Sequence, residues 1–590
     1  MRNFGRLLRT VRRLKPEQAA RRVWYMLRRS LGIRTRVSQV SPVGALDETV
    51  LERLRGFLCI AEGEALVMES EIAPLRALRF KVLNAEVDGA WDWDRLLHGP
   101  RPGRSAVHWF EYLRPLAQAG AFKYNEEDAQ LAMAWIRDWM AHHPPGARDA
   151  WDAYPIAIRI MNWALAFAAF GAPDRNVADN LAAQARWLRR SIEYDVEANH
   201  LVRDAQGLIV AGALMAASTE GRDWQQTGLR LLARTLAEQV LADGGHYERS
   251  AMYHAHVLEG CLIAYAALET KPAFLRDAIE RMADFLPRIV HPDGEIPLFG
   301  DAALGTCMPP LALNSAARTV CGGAAPEIAD GAYALEPSGL YVMRAQQGAV
   351  WMIAKAAPPE PSYQLGHAHA DAFGYELSIN GRRLIVDSGN SAYEPNPMRA
   401  YCRSVRAHNS VAIDGREPME CWGVFRVGRR YRIVSRDWRA TEDGWLLAAS
   451  HDGFAPFRHA REIRFHAGGA WLIADLVTGP RPCRAESYIH FHPDIRLEPR
   501  ENGFAAVAGS DETLIVPFGA SAIEHIRGAK SSLQGWYCPR FGEAYPADCL
   551  VLRAQGQNMR FGYAIVPPSA DARARRAIED YREQFLAGTT

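Results

Sequence analysis

Between about residues 105 and 330 the apolar positions recur at steps of three and four. In EDAQLAMAWIRDWMAHH, Leu131, Trp135 and Trp139 step by four, and Met133, Ile136 and Met140 fill the neighbouring row. This period predicts helices. Leu229, Leu232, Leu236 and Val240 repeat in the same way and run into Gly244-Gly245, a helix stop. LIVAGALMAA and VLEGCLIAYAAL are apolar nearly all round, as buried inner helices are. After about residue 335 short strand-like runs take over: GAVWMIAKA, FGYELSI, RRLIVDSG, HNSVAID, YRIVSRDW, GWLLAAS, AWLIADLV and ETLIVPF. Asn380-Gly381, Asp414-Gly415 and Asp443-Gly444 punctuate them as turns. Helices followed by strands, not interleaved with them, predict two packed bodies. The first is a helical bundle or toroid (105–334), preceded by a lead-in (1–104). The second is an antiparallel β-sandwich (335–590).

Composition changes this picture little. The 590 residues are 48% hydrophobic and 23% charged, which suits a large core in two to four domains. A net charge of +1 favours no bulk partner, and nucleic acid is not expected. The charge is uneven, however. Residues 1–36 hold twelve Arg or Lys and one acid, Glu17, with Phe4, Leu7, Leu8, Val11 and Leu14 at near-helical spacing. Two arrangements suit this segment: a basic amphipathic helix on an anionic membrane surface, or a helix docked on the body by its apolar stripe. Arginines interrupt it too often for a secretory h-region, and no stretch approaches the length of a membrane span. Nine scattered cysteines without a CxxC pair imply neither a disulfide framework nor a zinc ribbon.

Polar residues cluster in four places. EANHLVRDAQGLIVAG sets Asn199 and His200 before an apolar helix, where Asn199 suits an N-cap. ADGGHYERSAMYHAHVLEG packs Asp243, His246, Tyr247, Glu248, Arg249, Tyr253, His254 and His256 into fourteen residues. GHAHADAFGYELSINGRRLIVDSG opens with His367, His369 and Asp371 and ends near Asp387, and RSVRAHNSVAID adds His408 and Asn409. On a strand, His367, His369 and Asp371 share one face. They then line either a hydrogen-bonded polar seam or a loosely spaced zinc site. WDAYPIAIRIMNWALAF places Arg159 and Asn162 three apart on a helix, to hold an anionic ligand or to pair with a core acid.

These stretches, with VHWFEYL near His108, resemble the heparinase II/III family of bacterial polysaccharide lyases and appear in that family's order from about residue 105 to 420. The resemblance implies an α+β multidomain fold, an incomplete (α/α) toroid followed by an antiparallel β-sandwich, with a cleft between them. It implies that Asn199 and His200 face a substrate carboxylate, that Tyr253 is the acid/base, and that His367 completes the catalytic set. Arg159, Asn162, His246, Glu248 and Arg249 fall to substrate binding. His369, Asp387 and His408 would bind a structural zinc; no organic cofactor is implied. The expected partner is an acidic polysaccharide such as heparin, heparan sulfate, alginate or a bacterial exopolysaccharide. The expected compartment is the periplasm or cell envelope, with the cytoplasm left open.

The chemistry such residues suit is β-elimination. A base removes the C5 proton of a uronic acid, the C4–O bond breaks, and an unsaturated sugar end remains. Donors from Asn199 and His200 suit the charge that builds on the carboxylate. An unperturbed tyrosine has a pKa of about 10, so cations near Tyr253 are expected; His254, His256 and Arg249 are the candidates. Two rivals stand beside this: a noncatalytic glycan-binding protein of exopolysaccharide assembly, and a two-carboxylate hydrolase drawing on Asp204, Asp243 and Glu248.

Overall fold

The computed structural model describes residues 2–30, 44–60, 69–83, 85–88, 101–324 and 326–588. Arg34 and Arg36 of the basic segment lie outside them. Antiparallel helices run from Glu48–Ile60 to Pro310–Cys321, and strands follow from Gly331. The arrangement is an incomplete (α/α) toroid and then an antiparallel β-sandwich.

The two apolar stretches form inner helices, Ala198–Leu214 and Ala251–Ala267, with nearly every side chain buried. Their close packing depends on missing side chains. A Cβ on Gly260 would stand 2.1 Å from Gln206 Oε1 of the other helix, and one on Gly207 would stand 2.8 Å from the Ala157 backbone of the helix Ala153–Phe170. Trp135 and Trp139 are buried as their period requires; each such side chain removed from water contributes roughly 1.5–3 kcal/mol. Ala153–Phe170 is 18 residues long and apolar enough to cross a membrane, a length the sequence reading had denied to any stretch. Its window is 89% buried inside the helical body, so here it is a core helix.

The strands form a five-stranded meander (Gly331–Leu335, Leu340–Ala345, Val350–Lys355, Tyr375–Ile379, Arg382–Ile385) and an eight-stranded sheet. Inward residues of both interlock, Tyr341, Met352 and Leu377 against Ile463, Trp471 and Tyr563. A four-stranded sheet carries Val411–Ile413 at one edge. Asn380 and Gly381 both have positive φ (52° and 76°), as a two-residue hairpin of this twist demands. The meander's other face joins the toroid core, where Val342, Trp351 and Ile353 share one apolar cluster with Ile289, Leu298 and Phe299. The two bodies therefore meet across a continuous core and not across a flexible linker.

Two local expectations fail. The helix carrying Leu229 ends at Gln239, before the glycines. Gly244 (φ 89°) turns a tight hairpin instead, with Val240 bridged to His246. The HAHAD stretch is loop; its strand begins only at Tyr375. His367 and His369 therefore do not meet by strand alternation.

Candidate active site

Four segments converge where toroid meets sandwich. The helix Ala198–Leu214 starts with two positive-φ residues, its N-cap Glu197 (φ 66°) and its first residue Ala198 (φ 54°). Such backbone costs about 1–3 kcal/mol and persists only when surroundings enforce it. It places Asn199 inside the first turn, so Asn199 is not the N-cap; Glu197 occupies that position. Ser250 caps the next helix by accepting from the Tyr253 amide at 3.4 Å, while its hydroxyl donates to the Asp301 carbonyl at 2.6 Å. Gly300-Asp301 and the loop 366–371 complete the site.

Asn199 gives its backbone and side-chain N–H groups to Glu248 Oε1, both at 2.9 Å. Glu248 Oε2 faces His367 Nε2 at 3.7 Å. The His367 ring lies 4.0 Å from the Tyr253 ring, centroid to centroid. The Tyr253 and Tyr393 hydroxyls share a hydrogen bond of 2.9 Å. An amide, a carboxylate, an imidazole and a phenol thus stand in one chain of contacts. Asn199 Oδ1 and Glu248 Oε2 are buried and have no hydrogen-bond partner. Unsatisfied buried polar atoms are rare and need a reason, and a ligand position is one.

Asp301 organises the imidazoles, and the sequence reading missed it. Its two oxygens contact His367 Nδ1 at 2.8 Å and His369 Nε2 at 2.7 Å. Arg399 binds the same carboxylate with both terminal nitrogens. Burial pushes the Asp301 carboxyl up, but Arg399 and the two histidines outweigh it and hold it well below the usual range. An ionised acceptor at Nδ1 places a His367 proton there, and Nε2 is the ring nitrogen that faces Glu248. The only trace of Asp301 in the sequence is a lone acid in the apolar run IPLFGDAALG. Tyr393 and Arg399 had no legible signal beyond their residue types.

Burial raises the Tyr253 phenol well above 10, with Tyr393, Tyr154 and Asp301 adding to it. The expected cations do not touch the hydroxyl. His254 Nε2 is bonded to the Met282 carbonyl at 3.1 Å, and Arg249 reaches the Pro358 and Pro337 carbonyls. The His256 ring is 6.2 Å from that of Tyr253, and burial takes it down to about 3. Tyr253 rests as a neutral proton donor. His200 packs 4.4 Å from the Tyr154 ring and bonds Glu193 at 2.9 Å. Burial opposes its charge, but Glu193 outweighs this and raises its pKa.

Two substrate-binding assignments are corrected. Arg159 is 0% exposed, donates to Gln184 (2.8 Å) and the His108 carbonyl (3.0 Å), and stacks on Trp139. Asn162 accepts from Arg114 (2.8 Å) and donates to the Trp109 carbonyl (2.7 Å). Both brace the helical core. His246, at Gln239 Oε1 (3.1 Å), is buried beneath the loop and taken down to about 4 by that burial. Arg249 ties the toroid to the sandwich and, with Glu248, lines the pocket beneath His367. Of the acids offered for a hydrolase, Asp204 bonds the Glu193 amide and Asp243 bonds Gly245 and Ser338, so both serve backbone turns.

His408 Nδ1 pairs with Asp387 at 2.7 Å, and the His369 and His408 rings are 5.4 Å apart. His369 Nδ1 and His408 Nε2 are buried without partners, each backed by a carboxylate at its other nitrogen. That is the donor pattern of a metal-binding imidazole. Asp387 stands behind His408 rather than beside it as a third ligand. Among the described residues, no group of three or more His, Cys, Asp or Glu is gathered to hold a metal ion.

A recess of about 490 Å³ adjoins the site, sharing Pro358–Glu360 with the pocket beneath His367. Arg13, Arg416, Arg429, Arg430 and Arg432 line it. Arg416, Arg429 and Arg430 donate to backbone carbonyls there, Arg432 pairs with Asp452 at 2.9 Å, and Glu360 also lines the recess, so five arginines face two carboxylates.

The heparinase II/III N-terminus model matches residues 90–318, and the heparinase II/III-like C-terminal model matches 330–573. A heparin-sulfate lyase of Bacteroides stercoris is 26% identical, over 64% of this chain and 62% of that protein. The chain thus spans about three fifths of the length of the curated lyases it matches. The FtsZ-localized protein C of Caulobacter vibrioides is 24% identical, over 68% of this chain and 71% of that one. A crystal structure of heparinase III superposes with a TM-score of 0.68 at 17% identity, over 90% of this chain and 94% of that chain, a likeness of fold.

Proposed function

This chain belongs to the heparinase II/III family, and on that premise we propose that it is a polysaccharide lyase that cleaves a uronic acid-containing glycan of the heparin or heparan sulfate type by β-elimination. The observation that carries this is the contact of His367 with both Tyr253 and Glu248, beside Asn199. The uronate carboxylate takes the place of Glu248 against the Asn199 N–H groups, because two carboxylates side by side repel. His367 Nε2 accepts the C5 proton, and Asp301 stabilises the imidazolium that forms. The electron pair of the C5–H bond becomes the C4=C5 double bond as the C4–O bond breaks. Tyr253 gives its proton to the departing O4. Asn199 and His200 hold the charge that grows on the carboxylate; losing one such donor typically costs about 2.7–4 kcal/mol of barrier. The arginine-lined recess recognises further anionic groups along the chain.

The experiment is a panel of uronic acid glycans, alginate and host exopolysaccharide included, with ultraviolet absorbance reporting the new double bond. Absorbance gain on a member supports the lyase; hydrolytic cleavage without it rejects the class. A second reading, a noncatalytic glycan-holding protein of exopolysaccharide assembly, draws on the closed state of the site, with the Tyr253 hydroxyl capped by Tyr393. Saturable binding without turnover on any member supports that reading. The family's setting and an acidic glycan substrate favour the cell envelope as the compartment.

Zinc belongs to the same proposal. His369 Nδ1 and His408 Nε2 would hold it, with Asp301 and Asp387 fixing the ring tautomers, and it would brace the sandwich beside the cleft. Elemental analysis before and after His369→Ala tests this, since unchanged zinc content removes the assignment.

A further inference from the structure

The helices α1 (Arg2–Val11) and α2 (Pro16–Ser30) are amphipathic in the inverted sense. A helix docked on its own protein buries its apolar stripe. Here polar groups face inward. Arg6 and Arg9 bind Glu420 at 3.0 and 2.8 Å, and Thr10 donates to the Val427 carbonyl at 2.9 Å. Lys15 binds Glu197 and Glu238 at 3.1 and 2.7 Å. Gln18, 0% exposed, donates to the Val196 carbonyl, Arg22 to that of Asp195, and Tyr25 to that of Ile192. The apolar side chains point away from the body. Phe4 is 73% exposed, Trp24 54%, Met26 63% and Leu27 51%, with Leu7, Leu8, Val11 and Val23 between 42% and 51%. The apolar-stripe docking that the sequence permits is therefore not how the segment is held.

We propose that this outward face docks the protein on an anionic lipid bilayer. Eight large apolar side chains on two successive helices suit insertion at the headgroup boundary. Arg12, Arg13 and Arg21 are exposed along the same two helices, and residues 2–30 carry ten basic residues and one acid. That charge complements anionic headgroups and adds attraction that a neutral bilayer lacks. It also disfavours a second copy as the occupant, because two such faces meeting would oppose cation to cation. The inward side of these helices borders the candidate site. Lys15 grips Glu197, two residues before Asn199. Residues 420–427, gripped by α1, include Phe425, whose ring is 5.9 Å from that of His367. The cleft then opens next to the membrane surface and receives glycan held there. Docking itself stands whether or not the site is catalytic.

The test is sedimentation of the full chain with vesicles of phosphatidylcholine alone or with 30% phosphatidylglycerol. The expected result is pelleting on the anionic vesicles, at least tenfold weaker binding to the neutral ones, and weakening by salt. Leu7→Ser with Trp24→Ser should lower binding at least tenfold with unchanged circular dichroism and thermal midpoint, because both side chains are exposed. Arg12→Gln with Arg13→Gln should lower it on anionic vesicles only. Failure of the folded chain to pellet on anionic vesicles overturns the proposal. So does full binding by the Leu7/Trp24 variant. A concentration-dependent dimer that this variant abolishes, without vesicle binding, gives the face to a second copy and overturns it as well.

Discussion

Asn162, midway along the helix Ala153–Phe170, and Asn199, at the start of Ala198–Leu214, are 1% and 3% exposed, and burial does not tell them apart. Their hydrogen bonds do. Asn162 uses both ends of its amide on Arg114 and Trp109, and nothing remains to offer a ligand. Asn199 spends its N–H groups on Glu248 and leaves Oδ1 unpartnered, beside an equally unpartnered Glu248 oxygen. A structural amide closes its hydrogen-bond account within the protein; a site amide leaves part of it open.

The largest effect expected is at the phenol. Tyr253→Phe should lower kcat by about 10²–10⁴-fold, the usual worth of a positioned proton donor, with unchanged thermal stability. Retained absorbance at the wild-type rate would take Tyr253 out of the mechanism.

The asparagine pair then gives opposite signatures. Asn199→Ala should cost about 10²–10³-fold in kcat and little stability. Asn162→Ala should leave kcat within a few-fold and lower unfolding free energy by about 1–3 kcal/mol, since Arg114 loses one of its two carboxylate or amide acceptors and the Trp109 carbonyl loses its donor. Denaturant titration beside steady-state rates checks both, and equal losses of activity would erase the contrast.

A third expectation concerns acid. Burial takes His246 to about 4 and His254 to about 3, both below the ordinary 6.5. Between those values and 6.5 the unfolded chain binds the extra protons, so the stability these groups confer is present above 6.5 and is lost as pH falls. The slope is about 1.4 kcal/mol per pH unit for each histidine. Denaturation midpoints between pH 7 and 5 measure it, and His254→Gln should reduce the slope by about one histidine's share.

The smallest effect belongs to the recess. Arg430→Gln should raise KM for an acidic glycan several-fold at constant kcat and weaken its salt dependence, as the loss of one cation from an arginine-rich recess does. Unchanged KM would leave the recess without a role in recognition.

Local physics explains what was legible beforehand. The strand runs and the Asn380-Gly381 turn obey short-range rules, so each is found where period and turn chemistry placed it. The clusters around Asn199, Tyr253 and His367 were visible because polar groups of that kind are out of place next to apolar helices. His367 and His369 were expected to share a strand face. They meet instead by binding opposite oxygens of Asp301, 66 and 68 residues away. Arg159 and Asn162 were read as ligand groups, because a helical period cannot say whether an inward polar side chain has found a partner.

By itself the chain determined its helical and stranded halves, its turns and the residue types available for chemistry, all consequences of period and of interactions among near neighbours. Only the tertiary structure decided that one carboxylate anchors two imidazoles, that the Tyr253 phenol stays protonated, and that the first two helices turn their apolar sides outward. Each of those depends on which distant groups arrive within hydrogen-bonding range and on how much water they exclude, and neither is encoded within a few residues of sequence.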